Sequence, residues 1–530
     1  MEKKTLLAII ISIAILIAWD VFFIQPRKPQ TEPVQTEKPQ VEKQVQEELP
    51  SLFDPPSSPS FESEKASGEA IYVETPLYRA TWNTKGAQIV SFQLKEYKQT
   101  IGADAPPVEM VRSPFPQIVT SEGFSDAALV FEPSHTGLIH AAEKPFELVF
   151  TSEVSKGIIL KKIYRIDPLN YLLEYRTEFI NNTMSPLSLS YDQVLNARYP
   201  MDEKKKGYAF EGPVLLHGKH LEEFKVDKVK TVGTYRDFPG EIKWFGIEEK
   251  YFLHTIIPLE IFETQVRITR TDENIVSLAY SVPTAQIRSG SSQSHDHLIF
   301  LGPKNIKILK DVGFDLHRAL DFGFFDLIAK PLLISMNWIQ SYVGSYGLSI
   351  IILTIFIKII LYPLTFKSFA SMKGLQKIQP LMKELQAKYK DDKQKLNQEL
   401  MKLYSEHKIN PLGGCLPMLL QIPILFALYK VFYSAIELRH TPFHIIGTWL
   451  PDLSAKDPYF ITPVLMGLSQ FVMQKMTPTA GDPTQQKIML MMPVVFTFLF
   501  LSFPSGLVLY WLVSNILSII QQAYINRKLT

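Results

Sequence analysis

Long apolar runs lie at the two ends of this chain, and a long alternating stretch separates them. Residues 1–24 and 347–525 hold nearly all of the continuous hydrophobic segments, whereas roughly 25–310 read as water-soluble. The first run, 6–24, follows Lys3 and Lys4 and is near 20 residues long, enough to cross a hydrocarbon core. No small-x-small cleavage site follows it; Trp19, Phe22 and Phe23 lead instead into Gln25, Pro26 and Arg27. The pattern predicts an uncleaved N-terminal transmembrane anchor at 1–24. Residues 25–64 are rich in Pro, Gln, Glu, Lys and Ser and have no apolar clusters to bury, so a disordered periplasmic linker is expected there.

From about residue 65 to 310 the period falls to two. Stretches at 71–75, 89–94, 157–164, 171–179 and 265–269 alternate apolar with polar positions and favour β-branched or aromatic residues. Asn83, Asn181, Asn182, Asp272 and Asn274 mark turns between such stretches. Many short strands without intervening helices predict an all-β antiparallel sandwich. Between 311 and 345 the pattern becomes helical and aromatic, with Phe322, Phe324, Phe325, Leu327, Ile328, Leu332, Leu333 and Trp338. Pro331 should break or kink that helix. An amphipathic, aromatic segment beside a span is expected to lie in the membrane interface, the alternative being a helix packed on the soluble domain.

Five further spans are expected at 347–366, 414–433, 459–475, 488–502 and 505–525, the last two joined by the tight turn Phe503-Pro504-Ser505-Gly506. With the anchor the total is six, in an α-helical polytopic bundle at 346–526. Lysine and arginine bias orients them. The loop 367–408 carries ten lysines against five acidic residues, and Lys475, Lys487, Arg527 and Lys528 fall on the same side; the loop 434–458 holds only Arg439 and Lys456 against three acids. Both termini are therefore expected in the cytoplasm and the β-rich domain across the membrane, in the periplasm if the source is a Gram-negative bacterium. Within 367–408, Leu375, Ile378, Met382, Leu385 and Tyr389 keep helical spacing, and Leu396, Leu400 and Leu403 repeat it. This predicts an antiparallel cytoplasmic helical hairpin with an apolar seam and lysine-rich outer faces. Those lysines are either simply solvated or a contact for acidic lipid, ribosomal RNA or a signal-recognition factor.

Composition agrees with this division: of 530 residues 46% are hydrophobic and 20% charged. The net charge of +2 provides no single-sign field for DNA. Cys415, the one cysteine, rules out an intrachain disulfide and a thiolate metal cluster. No phosphate loop, nucleophile elbow or zinc-protease helix occurs, so no catalytic residue, cofactor or metal is expected, and the chain does not read as an enzyme. His440 and His444 have metal-like spacing but lack matching carboxylates, and surface histidines are the better reading.

The chemistry lies inside the spans. Lys358 falls within the apolar stretch 347–365, where a cation costs roughly 2.5–3.5 kcal/mol on insertion scales. Snorkelling is the alternative, since Lys358 is about eight residues, roughly 12 Å, from the cytoplasmic end near Phe366. Thr354 is four residues earlier on the same helix face. Gln421, Ser469, Gln470, Ser514, Asn515 and Gln521 are polar residues in other spans, and Pro363, Pro417, Pro423, Pro463, Pro493 and Pro504 punctuate them. Singly each reads as interhelical glue; as a set with Lys358 they point to a shared hydrated recess.

Several motifs then resemble those of the YidC/Oxa family of membrane protein insertases over essentially the whole chain. They are Tyr362-Pro363-Leu364-Thr365, Asn410-Pro411-Leu412-Gly413-Gly414-Cys415-Leu416-Pro417, Gln421-Ile422-Pro423, Asp457-Pro458-Tyr459, Gln474-Lys475-Met476, Gln485-Gln486-Lys487-Ile488-Met489 and the run from Phe503 to Tyr510. The large exported domain is similar to the Gram-negative form. The resemblance implies five core spans around a hydrophilic groove, open to cytoplasm and lipid and closed on the far side. The groove's charge is usually an arginine, so Lys358 is the main departure: it keeps the charge but loses the planar fork. Thr354, Gln421, Tyr510 and Trp511 join Lys358 as the expected substrate groove, many relatives having tyrosine where Trp511 stands. The implied activity is insertion and folding of nascent inner-membrane proteins, alone or with the Sec translocon (SecYEG and SecDF), in the phospholipid bilayer. The short basic tail weakens the case for ribosome attachment through it. A solute transporter or a scaffold for translocon subunits is the competing class; no internal repeat among the spans supports the former.

Overall fold

The computed structural model describes residues 68–102, 104–111, 117–121, 124–198, 209–226, 231–272, 274–390, 392–407, 416–443, 449–476 and 483–529. The expected anchor and linker, Cys415, His444 and most of the motif at 410–417 lie outside the described residues. The chain divides into two compact units, one ending at Ala319 and one running from Leu320 to the C-terminus, the short segment Thr100–Ala103 counting with the second.

The first unit is a β-sandwich. A five-stranded sheet runs in the order Pro107–Glu109, Gln88–Lys98, Tyr78–Asn83, Ala70–Glu74, Leu138–His140. Its last pairing, Tyr72–Glu74 with Leu138–His140, is parallel, against the expectation of a purely antiparallel fold. The chain crosses over between those strands instead of turning back through a hairpin, and that connection permits the parallel direction. The larger sheet folds on itself through one long strand, Tyr235–Glu248. Tyr235–Glu241 pairs with Glu263–Thr269, while Phe245–Glu248 pairs with Leu253–Ile256, so one strand serves two layers. The change of partner follows Pro239 and Gly240; Gly240 sits at φ 126°, where a side chain would be strained. Farther along, a Cβ on Gly246 would meet the His254 carbonyl oxygen at 2.1 Å, so only glycine lets the neighbouring backbone this close.

Period-two alternation sends Leu160, Lys162, Tyr164 and Ile166 inward from Ile158–Ile166, and Leu173, Tyr175 and Phe179 inward from Leu172–Asn181. Aromatic rings join the layers: Phe245 stacks on Tyr280 at 5.5 Å, Phe179 meets Tyr191 at 5.3 Å, and Trp82 meets Tyr164 edge-on at 5.7 Å. The most deeply buried lysine in this core is Lys162. Lys162 is fully enclosed and paired with the equally buried Asp126; its Nζ also donates to the Gly86 carbonyl at 2.7 Å. The Asp126 carboxylate accepts in turn from the Val119 amide at 2.9 Å. The unit closes with a short helix, α1 (Ile306–Val312), capped by Asn305, whose side chain accepts from the Lys307 and Ile308 amides.

The second unit is helical: α2 (Asp326–Val343), α3 (Tyr346–Lys388), α4 (Lys393–Glu406), α5 (Leu416–Ser434), α6 (Ile461–Met476), α7 (Pro483–Phe500) and α8 (Ser505–Leu529). Among the described residues two helices are long and apolar enough to cross a membrane, Tyr346–Lys388 and Ser505–Arg527; Met489–Phe500 is apolar but shorter. α2 buries Ala329, Leu333, Met336 and Ile339 on one face and exposes Leu327, Ile334, Trp338 and Tyr342 on the other. Pro331 does not end it, because a proline in the second turn removes only one early backbone bond. Gly344, left-handed at φ 68°, stops the helix, and the Ser345 side chain caps α3 two residues later.

α3 is one helix of 43 residues that passes through Pro363 and Pro380. Its first part is the expected span and its second part is the first arm of the hairpin, so span and loop are continuous. Leu375, Ile378 and Met382 bury against Leu403, with Leu385, Leu400 and Tyr404 packed around them. The Asp392 carboxylate caps α4 by accepting from the Lys395 amide at 3.0 Å. Elsewhere the bundle leaves large apolar side chains bare: Ile359 and Ile360 on α3, Met491 and Phe498 on α7. Such an apolar exterior suits lipid rather than water.

Candidate functional site

The central helix of the second unit is α8, which packs on α3 along one side and on α6 along the other. Helical spacing sorts its polar residues between these neighbours. Ser514 and Ser518, one turn apart, meet α5 and α3; Asn515 and Gln522, two turns apart, meet α6. On the α6 side the bonds are helix glue. Asn515 Nδ2 donates to Ser469 Oγ at 3.0 Å and Gln522 Nε2 to the Met476 carbonyl at 2.7 Å, while Trp511 Nε1 donates to Gln470 Oε1 at 3.3 Å.

The other side holds the cation. Lys358 is half-buried and its Nζ donates to Ser518 Oγ at 2.8 Å. Among the described residues no carboxylate lies within ion-pair distance of it. Thirteen residues separate Ser518 from the first residue of α8 and eleven from its last, about 20 and about 16 Å at helical rise, so the ammonium sits near the middle of that helix. One turn of α8 toward the 503–506 turn, Gln421 of α5 donates from Nε2 to Ser514 Oγ at 3.0 Å. The Tyr510 hydroxyl lies beside the same Gln421, and the residue is almost fully enclosed.

Four of the residues expected from sequence are thus distributed along α8 and its partners. Lys358 and Gln421 reach adjacent turns of one α8 face, Tyr510 stands next to Gln421, and Trp511 turns toward α6. Thr354 is buried, and its hydroxyl is spent on the Ile350 carbonyl of its own helix at 2.6 Å. Ser518 was not among the expected residues. Its signal was the four-residue spacing from Ser514, which the sequence carries but which gains meaning only once Lys358 is seen to reach it.

Beyond Trp511 the bundle closes. The Phe503 ring meets Tyr429 of α5 at 5.3 Å and Phe500 of α7 at 4.9 Å, and Trp511 packs against Phe500 and Phe496 at 5.1 and 5.8 Å. A loop is latched over this end: Ser505 Oγ donates to the Asp452 carbonyl at 2.8 Å, and the Ser505 and Gly506 amides donate to the Ala455 and Leu453 carbonyls at 2.7 and 2.9 Å. The Asp457 carboxylate caps the start of α6 by accepting from the Thr462 amide and hydroxyl at 2.7 and 2.8 Å. Polar pairs at one end and aromatic rings at the other make an asymmetric interior. No cluster able to hold a metal ion occurs among the described residues.

Comparison with known proteins bears on the whole chain. Residues 338–530 match the family model for the 60Kd inner membrane protein, and 70–335 match that for the YidC periplasmic domain. The membrane protein insertase YidC of Syntrophus aciditrophicus is 41% identical over 557 residues, covering 100% of both chains. That of Geotalea daltonii is 40% identical over 538 residues, again covering 100% of both. A crystal structure described as an active YidC insertase, with its first transmembrane domain resolved, aligns with 86% of this chain and 92% of its own at 19% identity and a TM-score of 0.36.

Proposed function

This chain belongs to the YidC family of membrane protein insertases, and from that premise we propose that it inserts client proteins into the bacterial inner membrane through a groove whose working charge is Lys358. In this reading the six spans comprise the anchor at 1–24 and those at 347–366, 414–433, 459–475, 488–502 and 505–525. Both termini and the hairpin lie in the cytoplasm and the β-sandwich in the periplasm. The groove face is made by Lys358, Gln421 and Tyr510 with Ser514 and Ser518; Trp511, bonded to Gln470 of α6, borders it, and Thr354 fixes the α3 turn that carries the lysine.

The observation that carries the reading is a cation in an apolar span, held by a serine hydroxyl and unpaired with any described carboxylate. A hydrocarbon core is about 30 Å thick, and each acidic residue dragged to its centre costs roughly 2.5–3.5 kcal/mol. A wet recess reaching Lys358 removes the dry path over its own depth, about 16 Å from the C-terminal end of α8. At about 4 Å, a carboxylate and an ammonium attract by about 4 kcal/mol at an effective dielectric of 20, and the roughly 1–2 kcal/mol left after screening by water in the recess offsets part of the cost of one such residue. The client's apolar segment then moves along α5 and the exposed apolar surface of α7, Met491, Val494, Val495 and Phe498, into lipid, and each buried CH₂ contributes roughly 0.8 kcal/mol. The work comes from partitioning, with no covalent step and no nucleotide.

The Sec translocon, the ribosome and signal-recognition factors are proposed partners, the last two through the lysine-rich hairpin faces. Site-specific photocrosslinking to an arrested nascent chain tests the groove. Crosslinks to the client's exported tail are expected from a probe at 358 or 421, and few from one at 354, which faces the bundle interior. Crosslinks from 354 but from neither 358 nor 421 would place the client elsewhere.

A further inference from the structure

A second donor lies on the Lys358 side of α8. Gln521 follows Ser518 by three residues and Ser514 by seven, so all three lie on one helix face, the one that meets α3 and α5. Its neighbour Gln522 is spent on the Met476 carbonyl of α6. Gln521 is not: its amide nitrogen is shielded from solvent and has no hydrogen-bond partner among the described residues. A shielded donor without an acceptor is an uncommon state that calls for an explanation. Lys358 is similarly underused, since an ammonium carries three donors and Ser518 takes one.

We propose that Gln521 is a recognition residue that joins Lys358 in taking a carboxylate of the client's exported tail. The inference rests on the groove reading above and extends it to a residue one turn closer to the cytoplasm. The ligand chemistry follows from what the two side chains lack. The unpartnered groups are the Gln521 Nε2 donor and the remaining protons of the Lys358 ammonium, which a carboxylate satisfies by accepting from both while neutralising the charge. A neutral amide or hydroxyl leaves the charge unpaired. A lipid phosphate is held at the membrane interface by its own acyl chains, whereas an aspartate or glutamate on an extended tail can enter the bundle. Ser518 acts on this pair as a positioning residue, holding the ammonium against α8 until the carboxylate arrives.

The test uses the full chain in vesicles and two clients that differ only in their exported tails, one with aspartates and one with asparagines at the same positions. Gln521→Leu is expected to lower insertion of the aspartate client about tenfold, the worth of one hydrogen bond to a charged group, and to leave the asparagine client within about twofold. Gln521→Glu, which puts a competing carboxylate beside Lys358, is expected to hurt the aspartate client more. An equal loss for both clients would assign Gln521 a packing role and overturn the proposal, as would no loss for either. Lys358→Ala run in parallel separates the two ideas. If it discriminates between the clients and Gln521→Leu does not, only this proposal falls; if it does not discriminate, the groove reading falls with it.

Discussion

Replacing Lys358 with alanine is expected to cut insertion of clients with acidic exported tails about five- to thirtyfold while sparing those with neutral tails. The direction follows from the missing charge, and the size from Coulomb attraction of about 4 kcal/mol at contact in an intermediate dielectric, reduced to roughly 1–2 kcal/mol by water in an open recess. Lys358→Arg should be tolerated, because the charge and reach survive and a serine hydroxyl accepts from a guanidinium as readily as from an ammonium. Protease protection of the exported tail in vesicles containing the purified chain reads the result. Equal insertion of acidic and neutral clients by the alanine variant would leave only hydrophobic partitioning and remove the electrostatic part of the mechanism.

The second large effect is on stability, in the β-sandwich. Asp126→Ala leaves Lys162 fully enclosed with the Gly86 carbonyl and the Phe131 ring, whose centroid is 5.7 Å away, as its remaining partners. Removing one member of a buried pair costs about 3–5 kcal/mol, since the other charge stays desolvated. Thermal unfolding of the full chain in detergent, with hydrogen exchange followed over Ile158–Ile166, should show that strand losing protection and its transition falling by roughly 10 °C. Asp126→Leu combined with Lys162→Met should recover much of the loss, because two apolar side chains need neither partner. An Asp126→Ala protein as stable as the parent would mean that the pair is not enclosed in solution.

Much of this was legible in the sequence, for identifiable reasons. Strands at 158–166 and 172–181 were visible as 157–164 and 171–179 because each buries one face, and a one-sided strand writes its period into the chain. The same alternation places Lys162 in phase with Leu160 and Tyr164, so a buried lysine was implicit, but its partner Asp126 is 36 residues away on a different element and left no local trace. The hairpin seam of Leu375, Ile378 and Met382 against Leu400 and Leu403 was readable for the same reason. Prolines were harder to read. Pro363 was one of several that suggested kinked, short spans, yet α3 runs unbroken through both Pro363 and Pro380, as neighbouring helices and side chains can re-satisfy the backbone groups a proline frees. Pro239 hid the long strand that joins two layers, because a proline inside an alternating run normally argues against a central strand.

At the groove, the sequence marked Lys358 by its cost, and cost is a local property. It marked Gln521 only as one of several polar span residues, and it did not mark Ser518 or the inward turn of Thr354, because these depend on which neighbour each face of a helix meets. Glutamines 521 and 522 are chemically identical and adjacent, yet the Gln522 Nε2 donor reaches the Met476 carbonyl while the Gln521 Nε2 donor is unpartnered among the described residues, because the two point about 100° apart around α8.

The most direct measurement is of solvent at the lysine itself. With Cys415→Ser removing the native thiol and Lys358→Cys introducing a new one, a membrane-impermeant maleimide is added from the cytoplasmic face. Labelling at 358 within about tenfold of the rate for a cysteine in the hairpin turn is the predicted result, since the recess is wet. No labelling at 358, while the hairpin cysteine reacts freely, would mean that this depth is dry and the account is wrong.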